Sequence, residues 1–226
     1  MQKEWFSSWF DTPYYHILYK NRDYEEASLF IDNITRFLKL KQNTACWDLC
    51  CGKGRHSIYL NKKGYKVIGT DLSEQSICEA NESANETLEF YQHDMRHLFR
   101  TNYFDAVFNL FTSFGYFEKR EDDLHVFDSV RKALKPNGLF VFDYLNSEYV
   151  KGIIKAHDMI TMDGVTFNIT KAIENNTIIK SINFTDKGQV FNFEERVKLF
   201  DKTYFEGLAK ECNLTILNTF GNYQLQ

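Results

Sequence analysis

A doubly wound α/β sheet, mostly parallel and interrupted late in the chain by an antiparallel β meander, is the fold this sequence predicts. Up to about residue 150, short apolar runs alternate with amphipathic helical stretches, which demands parallel pairing and right-handed crossovers. From about 157 to 200 the helices stop, and apolar segments are separated only by turn signals, the pattern of an antiparallel meander. A helix and an apolar run then return, so the meander interrupts the α/β unit. The expected division is 1–150 with 201–226 as the α/β domain, its final strand missing, and 151–200 as the inserted subdomain.

Each element has its own local justification. "WFDTPYYHILYKNRDY" places Tyr14, Tyr15, Leu18 and Tyr19 along a short helix, and residues 22–40 carry Ala27, Phe30, Ile31, Ile34, Phe37 and Leu38 at helical spacing. "TACWDLC" is a strand running into a glycine turn, and "RHSIYLNKKG" is a helix closed by Gly64. "YKVIGTD" is the second strand, and Ser73 is the N-cap of a helix over "SEQSICEANES". "LEFYQHD" and "YFDAVFNLF" are strands, "EDDLHVFDSVRKAL" is a helix, and "LKPNG" turns into the strand "LFVFDYL". Asp163-Gly164, Glu174-Asn175-Asn176 and Asp186-Lys187-Gly188 punctuate the meander. Lys202 to Cys212 reads as a helix and Leu214 to Thr219 as a strand.

Composition narrows the class. The 226 residues are 43% hydrophobic and 26% charged, with a net charge of -4; this is an ordinary globular balance and argues against a nucleic-acid partner held by phosphate contacts. No apolar run approaches the roughly 20 residues of a membrane span. The first residues lack the basic start and apolar stretch of a signal peptide. Five scattered cysteines do not form a secreted disulfide framework, so the cytoplasm is the expected compartment.

The stretch "WDLCCGKGRHS" is a ligand loop, and its neighbours weigh three ligands. Zinc lacks a second cysteine pair or a His-x-His at ligand spacing, so no metal is expected. "GKGRHS" has neither the length nor the order of a P-loop. A dinucleotide reading survives in part: Gly52 and Gly54 are present, serine stands at the third glycine position, and Asp71 ends the next strand as ribose binding requires. Asp48, just before the loop, favours a phosphate-free, cationic nucleoside, because its carboxylate repels a pyrophosphate and attracts a sulfonium or ammonium.

"WDLCCGKGRHSIYLNKKGYKVIGTDLS" resembles the first two motifs of class I methyltransferases dependent on S-adenosylmethionine (SAM), with Cys50 where glycine is commonest. The resemblance continues through "YQHDM", "YFDAVFNLFTSFGYF", "ALKPNGLFVFDYLN" and "TYFEGLAKECNLTIL", nearly the whole chain in order. It implies a Rossmann-like methyltransferase fold with SAM as cofactor and a small-molecule methyl acceptor. Asp48 and the Cys50–Gly54 backbone, with Gly52 and Gly54, would cradle the methionine part. Asp71 would take the ribose hydroxyls with Leu72 beside the adenine, and Asp94 would accept from the adenine amino group with Met95 against the ring. Asn109 to Phe111 would face the sulfonium and the acceptor, and a tyrosine-bearing N-terminal segment, Tyr14 included, would cover the donor pocket.

In this reading no catalytic residue is assigned; His16, Tyr14, Tyr15 and Tyr116 are the candidate bases. "NLFTSF" lacks the Asn/Asp-Pro-Pro-aromatic motif of DNA amino-methyltransferases, which argues against nucleobase methylation. A SAM-binding protein without turnover and an NAD-dependent oxidoreductase stay open as rivals. The meander is expected over the carboxyl ends of the strands, walling the acceptor pocket or forming a homodimer contact. In similar enzymes a final antiparallel strand inserts beside the strand expected at 214–219, so the natural chain is expected to continue for roughly 15 to 25 residues, or a neighbour to supply that strand.

Overall fold

The structure, a computed structural model, describes residues 4–20 and 24–226; Arg22 and Asp23, at the expected start of the long N-terminal helix, lie outside the described residues. Five strands form a parallel sheet in the order β3-β2-β1-β4-β5: β1 (Ala45–Leu49), β2 (Lys66–Asp71), β3 (Leu88–Gln92), β4 (Phe104–Asn109) and β5 (Leu134–Phe142). Strand alternation sends Cys46, Val67, Phe90 and Phe108 to one face, under α3 (Tyr24–Phe37), α4 (Arg55–Lys62) and α5 (Glu74–Asn81). Trp47, Leu49, Ile68 and Val107 face the other side, covered by α6 (Arg120–Ala133) and α8 (Lys202–Glu211). The doubly wound expectation holds, and Ser73 caps α5 as read, accepting from the Ser76 amide.

Two local expectations change. "LKPNG" is a break in register between Phe104 and Ala106 of β4, with β5 beginning at Leu134 and Asn137 left-handed (φ 62). Residues 214–219 form no strand. A strand exists only where a partner takes its amides and carbonyls; β5 pairs with β4, and no described strand lies between β5 and this segment.

The second sheet, β6-β7-β8-β9, is fully antiparallel: β6 (His157–Met162), β7 (Val165–Glu174), β8 (Thr177–Asp186) and β9 (Gln189–Lys198). It follows α7 (Ser147–Ile153), a short helix that sequence periodicity did not mark. Its two-residue turns, Asp163-Gly164, Asn175-Asn176 and Lys187-Gly188, all carry positive φ at both positions. That geometry matches the twist of the flanking strands and explains the Asp, Asn and Gly usage.

Two N-terminal helices join the sheets. α1 (Trp5–Trp9) and α2 (Pro13–Leu18) bury Trp9 and Leu18 against Val165, Phe167, Ile169, Ile182 and Phe184 of the meander. Thr12 caps α2 by accepting from the Tyr15 amide, and Pro13 occupies the first helical turn, where its missing N–H costs nothing. The meander is thus a second layer behind α1 and α2, anchored where the Lys198 amide donates to the Gly115 carbonyl (2.9 Å) beyond β4.

Candidate active site

A cavity of about 360 Å³ opens at the carboxyl ends of β1, β2 and β4, where open α/β sheets bind ligands. Its floor is the loop after β1 (Cys50, Cys51, Gly52, Lys53) with Asp71 and Leu72; Asp94, Met95 and Phe111 also line it, and Phe10, Tyr15, His16 and Tyr19 roof it. Meander residues do not line it among the described residues; α1 and α2 intervene, which corrects the expectation that the meander would wall this pocket.

The loop is held by its own backbone and by Asp71. The Cys51 amide donates to the Thr70 carbonyl (2.9 Å), the Gly54 amide to the Cys51 carbonyl (3.0 Å), and the Gly52 amide to Asp71 Oδ2 (2.8 Å). The other Asp71 oxygen accepts from the Ser73 amide (2.9 Å). Burial raises the Asp71 pKa, and the backbone bonds from Ser73 and Gly52 pull it back. Gly54 has a packing role: at φ 81, a Cβ there would meet Phe90 Cζ at 2.6 Å. Gly54 is therefore placed beneath the cavity, which Gly52 lines.

Cys50 has φ 66, a left-handed conformation that favours glycine. Its sulfur sits 3.4 Å from Met95 Sδ, and that contact is what the cysteine contributes in exchange. Cys50→Gly is expected to stabilise the fold by up to about 1 kcal/mol, the strain relieved less the added chain entropy. Urea unfolding measures it, and a loss of more than that amount would show the sulfur contact to dominate.

Asp48 is fully buried and points away from the cavity, because alternation along β1 turns it toward α4, where Ser57 Oγ donates to it at 2.5 Å. Burial pushes its pKa up to about 6, against the bond from Ser57. It acts on the loop from below, through its charge. Asn109 is likewise removed from the cavity: its Nδ2 donates to the Leu49 carbonyl (3.1 Å) and it is fully buried, so it pins the corner between β1 and the loop. Phe111, left-handed at φ 58, does line the cavity, with its amide on Asp143 Oδ2 (2.7 Å) and the Arg55 guanidinium 4.6 Å from its ring centre.

Tyr14 is also corrected. It lies on the meander side of α2, its hydroxyl on Asp186 Oδ2 (2.8 Å) and its ring against Phe184 and Phe191. At 100° per residue, the cavity face of α2 falls to Tyr15, His16 and Tyr19. His16 is pushed down to about 4 by burial and by the Lys53 charge, so it is neutral at pH 7. Asp94 lines the cavity with its carboxylate already forked on Arg96 (3.1 and 2.6 Å), which reaches on to Glu4; partial burial pushes the Asp94 pKa up, and the hydrogen bonds and charge of Arg96 together outweigh it and hold the pKa below normal.

Sequence reasoning missed Asp11, which lines the cavity, accepts from Ser73 Oγ (2.7 Å) and the Gln75 amide (3.2 Å), and so ties the roof to the start of α5. Only the neighbouring Thr-Pro helix start marked that stretch, and it says nothing of a partner 62 residues away. Among the described residues no group of His, Cys, Asp and Glu is arranged to hold a metal, all five cysteines are free thiols, and no helix is long and apolar enough to cross a membrane.

Carboxylates of Asp11, Asp71 and Asp94 around the cavity, with Asp48 beneath it, suit a ligand with cationic and hydroxyl groups. A pyrophosphate would meet these charges and a loop whose amides at 51, 52 and 54 are already bonded within the protein.

Residues 47–138 match the family model described as a methyltransferase domain. YqeM of Bacillus subtilis, a protein named as a methyltransferase, is 39% identical over 105 residues, 44% of this chain and 42% of that one. A dTDP-3-amino-3,4,6-trideoxy-alpha-D-glucopyranose N,N-dimethyltransferase of Streptomyces venezuelae is 24% identical over 87% of this chain and 86% of its own. The chain spans about half the length of the first curated relatives it matches. Among solved structures, a SAM-dependent methyltransferase from Clostridium acetobutylicum superposes with TM-score 0.77 at 23% identity, covering 93% of this chain and 88% of that one; at that identity the likeness speaks to the fold.

Proposed function

We propose that this chain, whose residues 47–138 match a methyltransferase domain, is a class I SAM-dependent methyltransferase that transfers the cofactor's methyl group directly to a small-molecule acceptor in the cavity beneath α2. The observation that carries the reading is the loop–Asp71 arrangement: a carboxylate lining the cavity and bonded to the Gly52 amide, with a second carboxylate, Asp48, buried under the same loop. Asp71 would hold the ribose hydroxyls, Leu72 and Met95 the adenine, and Cys50, Gly52 and the Asp48 charge the methionine end. Asp94, its carboxylate oriented by Arg96, would accept from the adenine amino group.

SAM supplies a methyl already activated on sulfonium. The protein's task is therefore alignment and exclusion of water, a contribution of roughly 7 to 11 kcal/mol when donor and acceptor are held in line. Phe10, Tyr15, Tyr19 and Phe111 form the apolar walls. His16, held neutral, lines the same space with Tyr15 and Tyr116 and adds no positive charge to oppose the sulfonium. An amine acceptor fits best, since the Streptomyces relative's name makes it an amino-sugar N-methyltransferase and an amine needs no strong base.

In this reading the α/β unit (1–150 and 201–226) binds the cofactor and the 151–200 subdomain supports the roof. The protein acts in the cytoplasm, and its meander's outer face, where Met159 and Val190 are exposed, is where a homodimer would form; sedimentation velocity reads that. Calorimetry without metal is expected to show binding of both SAM and S-adenosylhomocysteine, and mass spectrometry of cell extract treated with protein and SAM a metabolite gaining one methyl. Binding of NADH with no binding of SAM would end the reading in favour of an oxidoreductase.

A further inference from the structure

The face of the meander that packs on α1 and α2 does not stop at its aromatic core. One register step past the Ile169–Ile182–Phe193 row lies a row of charge, Lys171↔Lys180↔Glu195, and after it Ile173↔Ile178↔Val197. Lys171, Lys180, Glu195, Ile178 and Val197 of these rows, with Val150, Ile153, Ile154 and Lys155 at the end of α7, line a second cavity of about 340 Å³. Its rim carries three lysines against one glutamate in a protein whose net charge is -4.

That glutamate is already engaged. Glu195 accepts from Trp9 Nε1 (2.7 Å) and from Tyr19 Oη (2.8 Å), and pairs with Lys180 at 3.4 Å; the side chains of Lys180 and Glu195 are 14% and 12% exposed. Lys171 and Lys155 make no ion pair among the described residues. Lys180 is compensated by Glu195, which leaves the charges of Lys171 and Lys155 as the ones the groove does not balance. An oxyanion seated on Lys171 and Lys155 would supply the missing counter-charge.

Tyr19 stands between this cavity and the first. Its ring lines the roof of the main cavity, while its hydroxyl bonds Glu195 and Lys180 on the rim of the second. We propose that the groove binds an oxyanion, phosphoryl or carboxyl, at Lys171 and Lys155, which the Lys171 amide bond to the Ala156 carbonyl (2.9 Å) brings together, with the apolar part of that ligand over Ile178 and Val197.

The test is calorimetry of the whole protein at low ionic strength with inorganic pyrophosphate as the phosphoryl probe and succinate as the carboxyl probe. At least one is expected to bind, and Lys171→Ala to weaken it by about tenfold, the effect of one charge-assisted hydrogen bond. Lys171→Arg should retain binding, and Lys41→Ala, at an exposed lysine outside the groove, should leave it within about twofold, as distant sites do. S-adenosylhomocysteine should bind alongside the probe with unchanged affinity in Lys171→Ala. No binding of either probe, an unchanged affinity in Lys171→Ala, or displacement of the probe by S-adenosylhomocysteine would overturn the proposal. Loss of S-adenosylhomocysteine binding in the unaltered protein, with the probe still responding to Lys171, would instead remove the methyltransferase reading and leave the oxyanion site.

Discussion

Asp71→Ala is expected to weaken SAM and S-adenosylhomocysteine by the same factor, roughly 10- to 150-fold, the range for hydrogen bonds to a charged group. The ribose is common to both ligands, so the ratio of their affinities should not change. The structure adds a second consequence, because the same carboxylate accepts from the Gly52 and Ser73 amides. Losing it also frees the loop, and the thermal midpoint should fall with the affinity. Asp71→Asn separates the two effects: it retains one acceptor oxygen, restoring part of the loop's order while still lacking the charge. A selective loss for SAM over S-adenosylhomocysteine in calorimetry would place Asp71 at the sulfonium instead of the ribose.

Asp48→Asn should make the protein more stable and a poorer binder. Burial raises the Asp48 pKa from 3.8 to about 6, outweighing the bond from Ser57. A carboxyl whose folded value is raised adds stability that is fully present below its unfolded value and is lost as pH rises through the folded value. Asp48 therefore favours folding below about pH 4 relative to pH 7, and across that window its ionisation costs about 3 kcal/mol at 1.36 kcal/mol per unit. Asp123, buried under Tyr204 and also raised to about 6 by its burial, contributes to the same slope. The asparagine variant should remove the Asp48 part, raising stability at pH 7 by up to about 3 kcal/mol in urea titrations. SAM affinity should drop in the same variant, since the cationic methionine end loses its counter-charge, and in the parent protein it should fall as pH goes below 6. A variant that binds SAM as tightly as the parent would reduce Asp48 to a structural group; an affinity for NADH that rises instead would revive the pyrophosphate alternative.

The sequence by itself determined the elements whose cause is local. Periodicity and turn chemistry placed the parallel strands, the Ser73 cap and the meander turns, whose positive-φ pairs are written as Asp-Gly, Asn-Asn and Lys-Gly. The ligand loop was legible because a glycine-rich turn between strand and helix, followed by Asp71, has few uses. The fate of residues 214–219 was not legible, because a strand needs a partner that no local pattern supplies. The conformation of Cys50 was equally hidden: its left-handed backbone is set by the loop's bonds to Thr70 and Asp71, not by the cysteine. Tyr14 and Tyr15 are neighbours in sequence and diverge only because the meander packs on one side of α2 and the cavity opens on the other. Asp48 and Asn109 belong to the loop's support instead of its surface, since strand alternation and burial decide where a side chain points. The row Lys171, Lys180, Glu195 and its link to Tyr19 exist only once three antiparallel strands are in register and α2 ends above them. Long-range pairing, fixed by packing rather than by spacing along the chain, made that decision.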